Sequence, residues 1–131
     1  MKQVHFQEKY PITEVEVNKS ETTLQSMAAV VAYFCEQIEN NEKVAYIGTF
    51  DHYAHTRKIG GDIQEGILAA MNIVFCFGFA LPNPHVMAVR PRSIGICEYA
   101  DKFVVTFMDA PMKPANDAMQ AWALGLRDIK G

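Results

Sequence analysis

The order of polar and apolar residues near the amino terminus predicts a β-strand with one solvent-facing side. In residues 12–18 (ITEVEVN), Glu14 and Glu16 alternate with valines, so the acidic side chains point to one face and the valines to the other. Residues 1–11 have two interpretations: an edge strand, or an arm that reaches a partner chain.

The following segment has the spacing of an amphipathic helix. Ser20 is placed to cap its amino terminus, Glu21 lies in the first turn, and the pair Asn40-Asn41 ends it. The apolar positions that define one face are Leu24, Met27, Ala28, Val31, Phe34, Cys35 and Ile38. We therefore expect a helix between the two capping signals.

Two strands and a short helix are predicted in the middle of the chain. Residues 44–51 (VAYIGTFD) are rich in β-branched and aromatic residues. Residues 72–79 (NIVFCFGF) are apolar on both faces, so this strand is expected to be central or covered. Between the strands, Asp62 followed by a glutamate three residues later has the form of a capping box, which predicts a short helix over residues 63–71.

The longest uncharged stretch, residues 66–89, raises the question of a membrane span. Asn72 interrupts the apolar run, and Pro82 and Pro84 close it. Because no regular helix of membrane-spanning length fits between these residues, we expect a short helix, one buried strand and a loop instead.

A β-hairpin and a closing helix are predicted at the carboxyl end. Strands over residues 92–99 and 103–109 flank a turn, and Pro114 is placed in the first turn of an amphipathic helix. The small residues that share one face of the first of these strands are Ser93, Gly95 and Cys97. That face either packs closely against a helix or leaves room for a ligand.

These elements together predict an α+β fold. Strand, helix, strand, short helix, three strands and helix follow one another, and the hairpin strands are adjacent. This order indicates a two-layer sandwich with a mostly antiparallel sheet of about five strands, two main helices and one short helix. No repeat, linker or charge block divides the sequence, so residues 1–131 are treated as a single domain.

Composition and charge narrow the class of partner. The chain is 50% apolar and carries a net charge of −3, which argues against disorder and against nucleic-acid binding. The amino terminus lacks the apolar region of a signal peptide. Three cysteines without CxxC spacing are typical of reduced thiols, so we expect a cytoplasmic protein that binds no membrane.

The strongest candidate for chemistry follows the second predicted strand. Asp51, His52 and His55 lie together there, and a carboxylate beside an imidazole suits acid–base catalysis or metal ligation. The alternative is that Asp51 caps the turn and His52 packs. A metal site would have to combine ligands from distant segments, namely His52, His55, His85 and either Cys97 or Glu98. This set matches no zinc signature, so no metal or other cofactor is predicted.

A second candidate is the pair Arg90 and Arg92, which flanks a proline at the entry to a predicted strand. An arginine at this position can clamp a carboxylate or phosphate through two hydrogen bonds. The alternative is that both side chains are solvated and pair with surface acids.

The stretch Ile47-Gly48-Thr49-Phe50-Asp51-His52, the strand ending in Phe77-Gly78, the segment Pro91 to Glu98 and the final Asp109-Ala110-Pro111 resemble the domain of unknown function 302 family. The resemblance covers roughly residues 12–111. It implies a TATA-binding-protein-like α+β fold and a homodimer, and it implies no reaction. The turn after Phe77-Gly78 departs from the family pattern, because Phe79 to Pro82 lengthen it.

We interpret the sequence as that of a dimeric module that binds a small anionic ligand between sheet and helices. Its candidate ligand-binding residues are Asp51, His52, His55, Arg90, Arg92, Cys97 and Glu98. One alternative is a small enzyme with Asp51 and His52 as an acid–base pair and Cys97 as nucleophile. The others are a metal-binding domain and a purely structural or interaction domain.

Overall fold

The structure, a computed structural model, describes residues 1–129. The strands are β1 (Lys2–Phe6), β2 (Tyr10–Asn18), β3 (Ala45–Asp51), β4 (Ala69–Cys76), β5 (Arg92–Glu98) and β6 (Lys102–Met108). The helices are α1 (Met27–Glu39), α2 (His52–Lys58) and α3 (Lys113–Leu124), with short 3-10 helices at Lys19–Glu21 and Pro84–Val89. The second of these is called the 3-10 segment below.

The six strands form one sheet in the order β1-β2-β6-β5-β4-β3, and every neighbouring pair is antiparallel. The prediction of an α+β fold with an antiparallel sheet is confirmed. The count of five strands was one too low, because residues 2–6 pair with β2 as an edge strand. No helix within residues 1–129 has the length and apolar character needed to cross a membrane.

A single hydrophobic core lies between one face of the sheet and helices α1 and α3. Side chains at alternate strand positions supply the sheet side: Val15, Val17, Ile73, Phe75, Ile94, Ile96, Phe103, Val105 and Phe107. Helical positions three or four residues apart supply the other side: Val30, Phe34, Ile38, Ala115, Met119, Trp122 and Ala123. The opposite face of the sheet carries neither of these two helices, and we call it the open face.

The first helix begins later than its sequence predicts. Ser26 is the residue that caps it, accepting a hydrogen bond from the backbone N–H of Ala29 at 3.1 Å, and Ser20 lies in the first 3-10 helix instead. The intervening residues are held by distant partners: Thr23, for example, donates its backbone N–H to Asp128 at 2.7 Å. These tertiary contacts outweigh the local helical signal.

The prediction of a helix over residues 63–71 is wrong. Leu68 donates its backbone N–H to Glu98 at 2.8 Å, and Ala69 then begins β4, which pairs with strands on both sides. Two ladders of backbone hydrogen bonds thus replace the single one that a helix would provide. The short helix of the fold is α2, which lies before this segment rather than within it.

Candidate functional site

Asp51 acts as a helix cap. It is the last residue of β3, and its Oδ1 accepts a hydrogen bond from the backbone N–H of Ala54 at 2.9 Å, which starts α2. His52 and His55 are exposed and lie against the Phe50 ring, with ring centroids 4.7 and 5.5 Å from it. Within residues 1–129 the Asp51 carboxylate makes no hydrogen bond to the His52 imidazole, so the structure favours the capping interpretation over an acid–base pair.

The surroundings of Cys97 and Glu98 oppose the chemical roles predicted for these two residues. Cys97 is half-buried on the open face, and burial raises the pKa of its thiol, which opposes formation of the thiolate that a nucleophile requires. Glu98 forms an ion pair with Lys19 at 2.7 Å, and less than a fifth of either side chain is exposed. The carboxylate of Glu98 is therefore already neutralised by a cation of the same chain.

The remaining metal candidates do not converge. His85 lies in the 3-10 segment, which follows the carboxyl end of β4, whereas His52 follows a β3 residue that pairs with the other half of β4. Within residues 1–129 there is no group of three or more histidine, cysteine, aspartate or glutamate side chains that could hold a metal ion.

The two predicted groups of site residues lie at opposite ends of the sheet. Asp51 pairs with Met71 at one end of β4, and Arg92 pairs with Phe75 near the other end. Four residues of strand separate the two levels, which is about 13 Å along the strands, and two strand spacings add about 10 Å across them. A single small ligand cannot contact both groups, so the structure does not bring the candidate residues Asp51, His52, Arg90 and Arg92 into one pocket.

Arg90 and Arg92 do share a hollow, which we call the arginine cavity. It has a volume of about 230 Å³ and lies between the 3-10 segment, the chain after β4 and the start of α3. Apart from the two arginines, its walls consist of Phe77, Gly78, Val86, Val89, Ala110, Pro111, Met112 and Ala115. The cavity is therefore almost entirely apolar, with two guanidinium-bearing side chains as its charged groups.

The Arg92 guanidinium is only partly satisfied by the protein. It donates to the backbone carbonyls of Met108 and Val89, the second at 3.4 Å, while its buried Nε has no hydrogen-bond partner. No carboxylate of residues 1–129 pairs with it. The nearby Asp109 instead accepts hydrogen bonds from Gln3 and Thr13. Burial lowers the pKa of the guanidinium, because the charged form has lost water and the charge of the nearby Asp109 offsets this loss only in part.

A family model matches residues 1–128. The chain belongs to the family of unknown function DUF6858. DUF6858 differs from the domain of unknown function 302 family that the sequence resembles, so the family expectation is corrected, although a family without an assigned function is what was expected. No curated protein and no solved structure matches the chain. Because DUF6858 brings no activity with it, function has to be inferred from the chemistry of the site.

The sequence pattern indicates both arginines as candidates but not the apolar walls around them. Those walls come from three segments that are distant in sequence and that meet only in the fold. One sequence signal for a buried Arg92 was available. Arg92 lies two and four residues before Ile94 and Ile96 on the same strand, and both isoleucines are buried, so the arginine is directed to the core side of the sheet.

Proposed function

We propose that this protein binds a small organic anion, a carboxylate on a compact apolar body, in the arginine cavity. The observation that carries the proposal is the half-buried Arg92 guanidinium, which has an unpartnered Nε and no ion pair within residues 1–129. A buried charge is normally paired, because its lost hydration must be compensated. A carboxylate in the cavity would supply the counter-charge that the Arg92 guanidinium lacks within ion-pair distance.

The walls define the remainder of the ligand. Phe77, Val86, Val89 and Ala115 present only apolar surface, which favours a hydrocarbon or aromatic body over a sugar or a polyphosphate. A 150 Å³ apolar cavity accommodates benzene, so a hollow of about 230 Å³ takes roughly nine non-hydrogen atoms. Benzoate has this size and charge, and it is a suitable probe.

Calorimetric titration with sodium benzoate tests the proposal. We expect saturable binding to the wild type, weakened about tenfold or more by Arg92→Met, since a charge-assisted hydrogen bond of about 1.5–3 kcal/mol is lost. Ala115→Leu should weaken binding to a similar extent by filling the cavity. The control Arg57→Met removes an exposed arginine on α2, outside the cavity, and should leave binding unchanged.

Two comparison probes separate the requirements for charge and for an apolar body. Benzyl alcohol has a similar body without the charge, and acetate has the charge without the body, so both should bind more weakly than benzoate. Equal binding of benzyl alcohol and benzoate, no benzoate binding at all, or binding that Arg92→Met leaves intact would each contradict the proposal.

A further inference from the structure

A second hollow lies on the open face of the sheet, and we call it the open-face groove. It has a volume of about 390 Å³. Its floor is formed by β4, β5 and β6 through Asn72, Ser93, Gly95 and Thr106, and its apolar walls are Ile12, Met108, Ala88, Val89 and Pro91. The groove and the arginine cavity share Val89 and Arg92 but otherwise have different linings.

Gly95 at the centre of the floor is not required by the backbone. Its φ lies outside the left-handed region that favours glycine, and glycine inside a strand weakens the strand. What glycine provides here is room for the side chains of Asn72 and Thr106. A Cβ at this position would lie 3.2 Å from Oδ1 of Asn72 and 3.5 Å from Oγ1 of Thr106, its cross-strand neighbours on either side.

The space above Gly95 is bordered by the 3-10 segment through Ala88 and Val89 and not by α1 or α3. Helices α1 and α3 pack on the opposite face, against Ile94 and Ile96. At Gly95 the small-residue face is therefore not used for close packing of α1 or α3, and the groove leaves room for a ligand. Glycine in a strand interior often marks a site where an external group approaches the backbone closely.

The polar groups around this space are uncharged and can both donate and accept hydrogen bonds. Asn72 offers an amide, and Ser93 and Thr106 offer hydroxyls. Within residues 1–129 none of these three side chains is engaged in a hydrogen bond to another part of the protein. The one charged residue that lines the groove, Arg92, directs its donors to the Val89 and Met108 carbonyls.

We infer that the open-face groove is a second binding site, for a flat, uncharged group that both donates and accepts hydrogen bonds, such as an aromatic carboxamide. The ring lies between the apolar walls, over the side chains of Asn72 and Thr106 that approach each other above Gly95. Its amide exchanges hydrogen bonds with Asn72 and Thr106, whose polar atoms are no more than about 7 Å apart because both lie near the same point above Gly95. This site is independent of the anion proposed for the arginine cavity.

Titration of ¹⁵N-labelled protein with benzamide, followed by amide NMR, tests the inference. We expect the largest shifts at the Gly95 backbone amide and the Asn72 side-chain amide. Gly95→Ala should weaken benzamide binding about tenfold or more. The matched control is Gly48→Ala on the neighbouring edge of the same face, where an added Cβ meets nothing within 4 Å, and it should leave binding unchanged.

A second variant distinguishes loss of binding from a change in the fold. Thr106→Val keeps the side-chain shape and removes only the hydroxyl, so it should weaken benzamide binding while the thermal unfolding midpoint stays close to that of the wild type. Ala115→Leu should leave benzamide binding intact even where it abolishes benzoate binding, which makes the failure of one site distinguishable from the failure of the other.

Three results would overturn the inference. One is benzamide shifts that map away from the groove or are absent. Another is equal binding by the Gly95→Ala and Gly48→Ala variants. The third is a dimer, measured by sedimentation of the full chain, in which the Asn72 side-chain amide is shielded from a soluble paramagnetic probe, because a second copy would then cover the groove.

Discussion

Replacing Arg92 by methionine should make the ligand-free protein more stable. Methionine keeps an unbranched chain of similar reach and removes the guanidinium, so the apolar surface of the arginine cavity becomes continuous. In most proteins the loss of a half-buried arginine destabilises the fold because its partners are left unpaired. Here the unpaired group is the arginine itself, since its Nε has no hydrogen-bond partner.

The expected size of the effect follows from the contacts of Arg92. An unsatisfied buried donor costs about 1–3 kcal/mol, and the substitution removes that cost. Against it stands the loss of the hydrogen bond to Met108 and of a 3.4 Å contact to Val89, at the outer limit for a hydrogen bond. Both acceptors belong to exposed residues, so water can replace the guanidinium. We expect a net gain of about 1 kcal/mol, or about 3–5 °C in the unfolding midpoint.

Urea unfolding followed by the fluorescence of Trp122, the single tryptophan, measures the difference. Its ring is buried in the core and stacks on Phe77, so its emission reports loss of the fold. Arg127→Met is the matched control. Arg127 also has a buried Nε without a hydrogen bond, but it donates to the Glu16 carbonyl at 2.6 Å and pairs with Glu21 at 3.7 Å.

The control should lose about 1 kcal/mol, because its guanidinium is already paired with an acid of the same chain. Saturating benzoate should reverse the order of wild type and Arg92→Met, since the ligand stabilises only the protein that binds it. If Arg92→Met is destabilised as much as Arg127→Met, the guanidinium is adequately satisfied by the protein, and the argument for an anion in the cavity fails.

Three further predictions concern residues outside the two hollows. Asp51→Ala should lower the free energy of unfolding by about 1 kcal/mol through loss of the α2 cap, measured in urea, whereas Asp51→Asn should restore most of it; a change in benzoate affinity would contradict the cap assignment. Burial should make Cys97 react with iodoacetamide near neutral pH more slowly than free cysteine, as followed by mass spectrometry, and faster labelling would favour a catalytic thiol. Hydrogen bonds from Thr23 hold the pKa of Asp128 below its ordinary value, so its contribution to stability is present above about pH 4 and is lost as the pH falls through the folded-state pKa. Asp128→Asn should therefore show a lower unfolding midpoint than the wild type at neutral pH and a shrinking difference in acid, and a difference that does not depend on pH would refute this.

The sequence predicted best those elements whose pattern is local. The strand predicted over residues 92–99 is β5 (Arg92–Glu98), and the closing helix with proline in its first turn is α3 (Lys113–Leu124). The helix predicted over residues 63–71 failed because a capping box reports only on its own few residues, whereas β4 is stabilised by strands that lie elsewhere in the sequence. A local sequence signal contains no information about this long-range strand pairing.

In the candidate site, too, the features that depend on neighbouring residues were predictable from the sequence, and those that depend on distant residues were not. The capping role of Asp51 depends on neighbouring residues and was one of the two interpretations that the sequence offered. Its separation from Arg92 depends on the strand order, which no local pattern contains. The sequence could therefore name plausible side chains but could not decide which of them share a pocket.

Two residues of β5, Arg92 and Gly95, are unusual residue types for their positions in the sheet, and both line the open-face groove. Arg92 places a charge on the same core-facing side of β5 as Ile94, and Gly95 leaves the place of a side chain to Asn72 and Thr106 although its backbone does not require glycine. Ordinary sheet packing would favour an apolar side chain at the first position and a β-branched one at the second. The described chain places no carboxylate within ion-pair distance of Arg92, and the side chains of Asn72 and Thr106 at Gly95 make no hydrogen bond to another part of it. Residue types that are unfavourable for packing and are not offset within the fold are expected at functional sites. A bound ligand can supply the charge and the hydrogen-bond partners that the chain does not provide.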